Sequence, residues 1–150
     1  GFPVHICAYT NWAGAFSTRG PLILMSSVAP DMQGSLALET AFHESMHQWD
    51  DAMLRRLQSA AATKRVAVDE RLTHAMIFYT AGEATRRAVP GHVPYAERNG
   101  VWARGQEPLR RALEAAWRPW LDGKVTSDQA IVDLVVRAAG PPAPVNRKRK

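Results

Sequence analysis

The chain has 150 residues, of which 46% are hydrophobic and 22% charged. That is one domain's worth of ordinary globular composition, which excludes wholesale disorder and leaves no room for two full cores. Nineteen Lys and Arg against 14 Asp and Glu give a formal charge of +5, a balance that taken alone points to an acidic partner such as nucleic acid or a membrane surface. Cys7 is the only cysteine, so no disulfide framework and no Cys-rich metal site can form within one copy of the chain.

Residues 4–9, 14–17 and 22–27 carry strand formers and read as three short β pieces, with Arg19, Gly20 and Pro21 at a connecting turn. Ser35 offers an N-cap to a helix over residues 36–60. On that helix Leu38, Phe42, Met46, Trp49 and Met53 form one apolar stripe, expected to face the core. A second face, with Thr40, His43, His47, Asp50, Asp51 and Leu54, is expected to line a site. Asp69 is the expected N-cap of a helix to about residue 87, within which residues 75–79 are apolar all round and should be buried.

Residues 89–105 read as an irregular loop carrying Pro90, Pro94, Tyr95 and Trp102. A third helix covers 107–117, with Pro108 in its first turn, and a fourth, capped by Ser127, runs to 138. Trp102, Trp117 and Trp120 are expected to pack in the core. The expectation is an α+β fold, a small N-terminal β hairpin or sheet packed on a helical core made of the helix over 36–60 and about three more. It forms one domain over residues 1–140, and 141–150 is a Pro-rich and basic tail. Apolar runs of four or five residues fall far short of the roughly 20 that cross a bilayer, so no membrane span is expected. A start at Gly1 rather than Met reads as a processed N-terminus and leans towards an exported, periplasmic or secreted protein.

His43-Glu44-Ser45-Met46-His47 is an HExxH sequence inside the first helix. Four-residue spacing puts both imidazoles on one face, one turn apart, where they can share a tetrahedral zinc. Glu44 then flanks the metal and can accept the proton of a zinc-activated water. Five His and seven Glu in this length predict on the order of 0.01 such motif by chance.

At these residues the chain resembles the zincin metallopeptidases, over about residues 22–87. The resemblance implies that the motif helix packs under a sheet whose edge strand lies beside the substrate, a place matched here by the strand over residues 22–27. The HExxHxxGxxH continuation is missing, because Gln48, Trp49, Asp50 and Asp51 follow His47, and the metzincin pattern fails with it.

Catalytic zinc takes a third protein ligand, for which Glu70, His74, Glu83 and His92 are available. If the two helices form an antiparallel hairpin, the midpoint of His47 and Glu83 is position 65, inside the expected connection. The midpoint of His47 and His74 lies between 60 and 61, which needs a shorter motif helix, and Glu70 places the turn inside that helix. Glu83 is therefore the preferred ligand and His74 the alternative. Gly82 and Ala81 beside Glu83 permit close approach of another backbone. With Glu83 as ligand the site resembles the gluzincins, HExxH plus a downstream glutamate. Asp50 or Asp51 can orient an imidazole N–H or pair with Arg55. Tyr95 is the expected oxyanion donor and His92 the alternative. Tyr79, one turn before Glu83, lies within reach of the metal but is assigned no catalytic part.

The expected function is that of a zinc-dependent metallopeptidase acting on a peptide or protein substrate, with Zn2+ as cofactor, Glu44 as general base, Tyr95 as donor and His43, His47 and Glu83 as ligands. Two other classes remain: a zinc-stabilised binding module without turnover, and nucleic-acid binding through the tail. Arg147, Lys148, Arg149 and Lys150 supply four of the 19 positive charges. Without them 15 positive residues face 14 negative ones, which makes nucleic acid an unlikely partner of the folded domain.

Overall fold

The computed structural model describes residues 3–8, 14–18, 20 and 22–139. Tyr9, Arg19, Pro21 and the tail 141–150 lie outside the described residues. Three strands, β1 (Val4–Cys7), β2 (Ala15–Ser17) and β3 (Ile23–Ser26), form one sheet in the order β1-β3-β2. β3 pairs in parallel with β1 and antiparallel with β2, Ala15 facing Met25 and Ser17 facing Ile23. The segment expected to be the edge strand is thus the centre of the sheet, and β2 is an edge. Alternation explains why β3 is central: Ile23 and Met25 point to one face and are almost fully buried.

The helices are α1 (Ser35–Met46), α2 (Asp50–Lys64), α3 (Leu72–Ala88), α4 (Tyr95–Arg98), α5 (Glu107–Ala112), α6 (Arg118–Leu121) and α7 (Ser127–Ala138), and the fold is α+β. The expected helix over 36–60 is divided. A 3-10 turn at His47–Trp49 tightens the chain directly after α1, and α2 restarts at Asp50. Between α5 and α6 the backbone opens into a π turn over Leu113–Trp117. Thr126, one residue before the expected cap, forms a capping box with Gln129 at the start of α7. Arg71 rather than Asp69 is the N-cap residue of α3. Asp69 instead accepts from the Arg71 backbone N–H and guanidinium.

Two hydrophobic clusters result. The larger joins α2, α3, α5, the π turn and α7 around Leu57, Leu72, Leu113, Leu134 and Val135, and takes in Trp102 and Trp117. Each of those leucines contributes about 1.5–3 kcal/mol by burial. The smaller is Ala15, Ile23, Met25 and Met32 beneath the sheet, closed by Ala37 and Ala41 of α1. α1 therefore packs between the sheet and α3.

Its orientation reverses one expectation. Leu38, Phe42 and Trp49 are exposed, at 38%, 39% and 52%, and Met46 and Met53 are half-buried. α1 meets the sheet through small alanines and meets α3 through its histidine face, which leaves Leu38 and Phe42 outside.

Candidate metal centre

α1 and α3 lie antiparallel in a readable register. Glu39 reaches Gly82, the His43 ring lies 4.5 Å from that of Phe78, and the His47 ring lies 5.3 Å from that of His74. Each pair sums to 121, which places the midpoint between 60 and 61. That is the shorter motif helix that His74 requires, and α1 does end at Met46.

Three imidazoles converge as a result. His43 Nε2 lies 3.2 Å from His47 Nε2 and 3.2 Å from His74 Nε2. One donor atom from each of the three residues falls within 4.8 Å of the others. Zn–N bonds of 2.0–2.1 Å in a tetrahedron hold nitrogens about 3.3 Å apart, close to the two 3.2 Å separations from His43, so the three residues could hold a metal ion of that kind. Asp50 Oδ2 takes the His47 Nδ1–H at 2.7 Å. A carboxylate only accepts, so this contact puts the His47 proton on Nδ1 and leaves the Nε2 lone pair facing the other two rings. Burial, then the neighbouring His74 and His47, push His43 down to about 3. Burial and His47 also push His74 down, against the pull of Asp50. His43 therefore stays neutral at ordinary pH, with its lone pair available to a cation.

Glu83 is not part of it. Nine residues separate it from His74 on α3, about 13 Å of helix rise, and its carboxylate pairs with Arg86. A register centred on position 65 needs one continuous motif helix, whereas α1 ends at Met46 and a 3-10 turn at His47–Trp49 separates it from α2. Tyr79 lines the same separate cavity as Glu83 rather than the histidine cleft.

The histidines open into a cleft of about 760 Å3, within the usual size of ligand sites. Glu44 and Tyr95 line it with Thr40, Asp50 and Phe78. Its far wall is Ala15, Phe16, Ser17 and Thr18, so edge strand β2 borders the cleft. The Glu44 carboxylate forms no hydrogen bond or ion pair with the described residues. Tyr95 stacks on Phe78 with ring centroids 6.0 Å apart and planes 9° from parallel.

A buried network holds Tyr95 there. Glu39, 2% exposed and one turn before His43, accepts the Tyr95 backbone N–H at 2.9 and 3.0 Å. His92 bridges Glu39 Oε2 at 2.7 Å and Ser35 Oγ at 2.8 Å. Ser35 thus begins α1 without capping it, and His92 supports the loop rather than offering a nitrogen to the cleft. Burial dominates at Glu39 and raises its carboxyl above 4.5, against the pull of Tyr95 and His92. Glu39 was missed in the sequence. Its one signal was position, a carboxylate four residues before the first motif histidine. Asp51 is exposed and Asp50 alone orients a ring.

Gly82 permits the close approach its neighbourhood implied, but the partner is Pro94 of the Tyr95 loop. Compared with family models, curated proteins and solved structures, the chain finds no match.

Proposed function

We propose that the chain is a zinc-dependent hydrolase of peptide bonds with His43, His47 and His74 as metal ligands and Glu44 as general base. The observation that carries this reading is the meeting of three imidazoles beside Glu44, with His43 Nε2 at 3.2 Å from the Nε2 atoms of both His47 and His74. Compared with the gluzincin-like expectation, His74 takes the place of Glu83.

Bound by these nitrogens, zinc would supply a Lewis acid that lowers the pKa of a coordinated water towards about 7. Glu44, without a hydrogen-bond or ion-pair partner among the described residues, takes the proton of the attacking water and returns it to the departing amine. Tyr95 donates a hydrogen bond from its hydroxyl to the oxygen that turns negative on attack, and the Glu39 network keeps the Tyr95 backbone in place. β2 carries no strand on its outer side among the described residues, which leaves backbone groups for an extended peptide to pair with.

The test is zinc content and peptide hydrolysis in wild type beside Glu44→Gln. The expected outcome is full zinc in both and a loss of roughly 100- to 10,000-fold in kcat for the variant. Wild type that holds zinc yet cleaves no peptide in a broad substrate library would replace this reading with the binding module. Undiminished turnover in Glu44→Gln would remove Glu44 from its place.

A further inference from the structure

A second cavity of about 220 Å3 lies beside the histidine cleft, and Phe78 is the one lining residue the two share. It is far more highly charged than its size leads one to expect. Arg86, Arg110 and Arg118 line it against Glu83, Glu97 and Glu114. Four of these six are satisfied internally: Arg86 holds Glu83, and Arg110 holds Glu114 at 3.1 Å. Among the described residues Arg118 pairs with no acid and Glu97 with no base, so one positive and one negative charge remain.

The floor is also incomplete. Tyr79 is 7% exposed and its hydroxyl is buried without a hydrogen-bond partner. Tyr79 is part of the cavity lining, and so are Glu83, Arg118, Glu114 and Arg86, the charges that act on its hydroxyl. A buried O–H left unmade is costly, and one carried by a residue of a cavity wall is a donor that a ligand can satisfy. Glu114 lies in the π turn over Leu113–Trp117 and Arg118 directly follows it, a type of backbone insertion that recurs at functional sites.

We infer that this cavity binds a small zwitterion bearing one carboxylate and one ammonium group, the chemistry of a free amino acid. The carboxylate takes the Arg118 guanidinium and the Tyr79 O–H, and the ammonium takes Glu97. A simple anion leaves Glu97 unmatched and a simple amine leaves Arg118 and Tyr79 unmatched. The volume, below the roughly 300 Å3 where drug-sized sites begin, limits the ligand to this scale. The site uses none of the three histidines and is independent of the proposed activity.

The experiment is thermal shift and calorimetric titration of the full chain with each free amino acid at millimolar concentration. The deaminated and decarboxylated analogue of every responder is then tried. At least one amino acid should raise Tm while neither analogue does. Arg118→Gln, on an exposed side chain and so expected to fold, should weaken binding about 10- to 100-fold, as loss of a charged hydrogen bond does. Tyr79→Phe should weaken binding while leaving the ligand-free Tm unchanged or higher, because it removes a group that has no partner. Amino acids also chelate metals, so the titration is repeated in His74→Ala, where the response should persist. No response to any amino acid, an equal response to the carboxylate alone, an unchanged response in Arg118→Gln, or its disappearance in His74→Ala would each overturn the assignment.

Discussion

Gly82→Ala is a substitution whose sign separates two physical effects. In an open helix, alanine for glycine is stabilising by about 1 kcal/mol, and Gly82 sits inside α3. A Cβ at this position would lie 2.7 Å from Pro94 Cβ, 3.2 Å from Pro94 Cγ and 3.3 Å from Glu39 Oε1. Pro94 is a stiff ring joined to backbone on both sides, so it cannot swing aside as a long side chain would. Overpacking of this kind costs about 1–3 kcal/mol, and so close a contact belongs in the upper half of that range. The net expectation is a loss of about 1–2 kcal/mol, hence a Tm lower by roughly 2–8 °C for a chain of this length. Displacing Pro94 also draws the Tyr95 N–H away from Glu39, so kcat should fall while zinc content, set by three distant imidazoles, stays at wild-type level. Melting followed by circular dichroism, metal analysis and peptide turnover on the same preparation read all three quantities. A Tm that rises by roughly 2–4 °C, as propensity alone would give, would refute the packing argument.

His74→Ala should lose stoichiometric zinc after dialysis while Glu83→Gln keeps it, and metal analysis giving the reverse would restore Glu83 as the ligand. Asp50→Ala should weaken zinc binding about 10- to 100-fold in competition with a chromogenic chelator, because His47 loses the partner that fixes its ring. Unchanged affinity would make the 2.7 Å contact incidental. Glu39→Gln probes the buried carboxyl through pH. Above its ordinary value of 4.5 the unfolded chain gives up this proton while the folded chain retains it. Wild-type stability therefore carries a component that falls as pH rises from 4.5 through the raised folded value. The glutamine variant lacks that component, and urea unfolding profiles that run parallel in the two proteins would count against it.

Much of this was readable in the sequence, for reasons that also mark where reading stopped. The strands, the start of the motif helix and the helix over 127–138 follow from short-range periodicity and turn residues, and the structure places them within a few residues of expectation, whereas the motif helix ends at Met46 rather than near residue 60. HExxH is a local pattern, so His43 and His47 meet wherever their helix goes. His74 and Glu83 compete through tertiary register, which hung on a single 3-10 turn that no residue type announces. The apolar stripe misled for a related reason. Leu38 and Phe42 are bulkier than Ala37 and Ala41, yet it is the alanines that let α1 lie close to the sheet. The Glu39–His92–Ser35 network joins residues more than 50 positions apart and leaves no periodic trace.

α1 packs on the smaller hydrophobic cluster through Ala37 and Ala41 and on α3 through a seam that carries His43, His47, Glu39 and their partners. A purely structural optimum would fill that seam with aliphatic side chains, each adding about 1.5–3 kcal/mol. Every such replacement deletes an imidazole or the carboxyl that anchors the Tyr95 loop. The seam therefore lies on a trade-off: directed evolution for heat resistance should readily enrich aliphatic residues there, and the clones that survive the hottest screens should be the ones that have lost their chemistry.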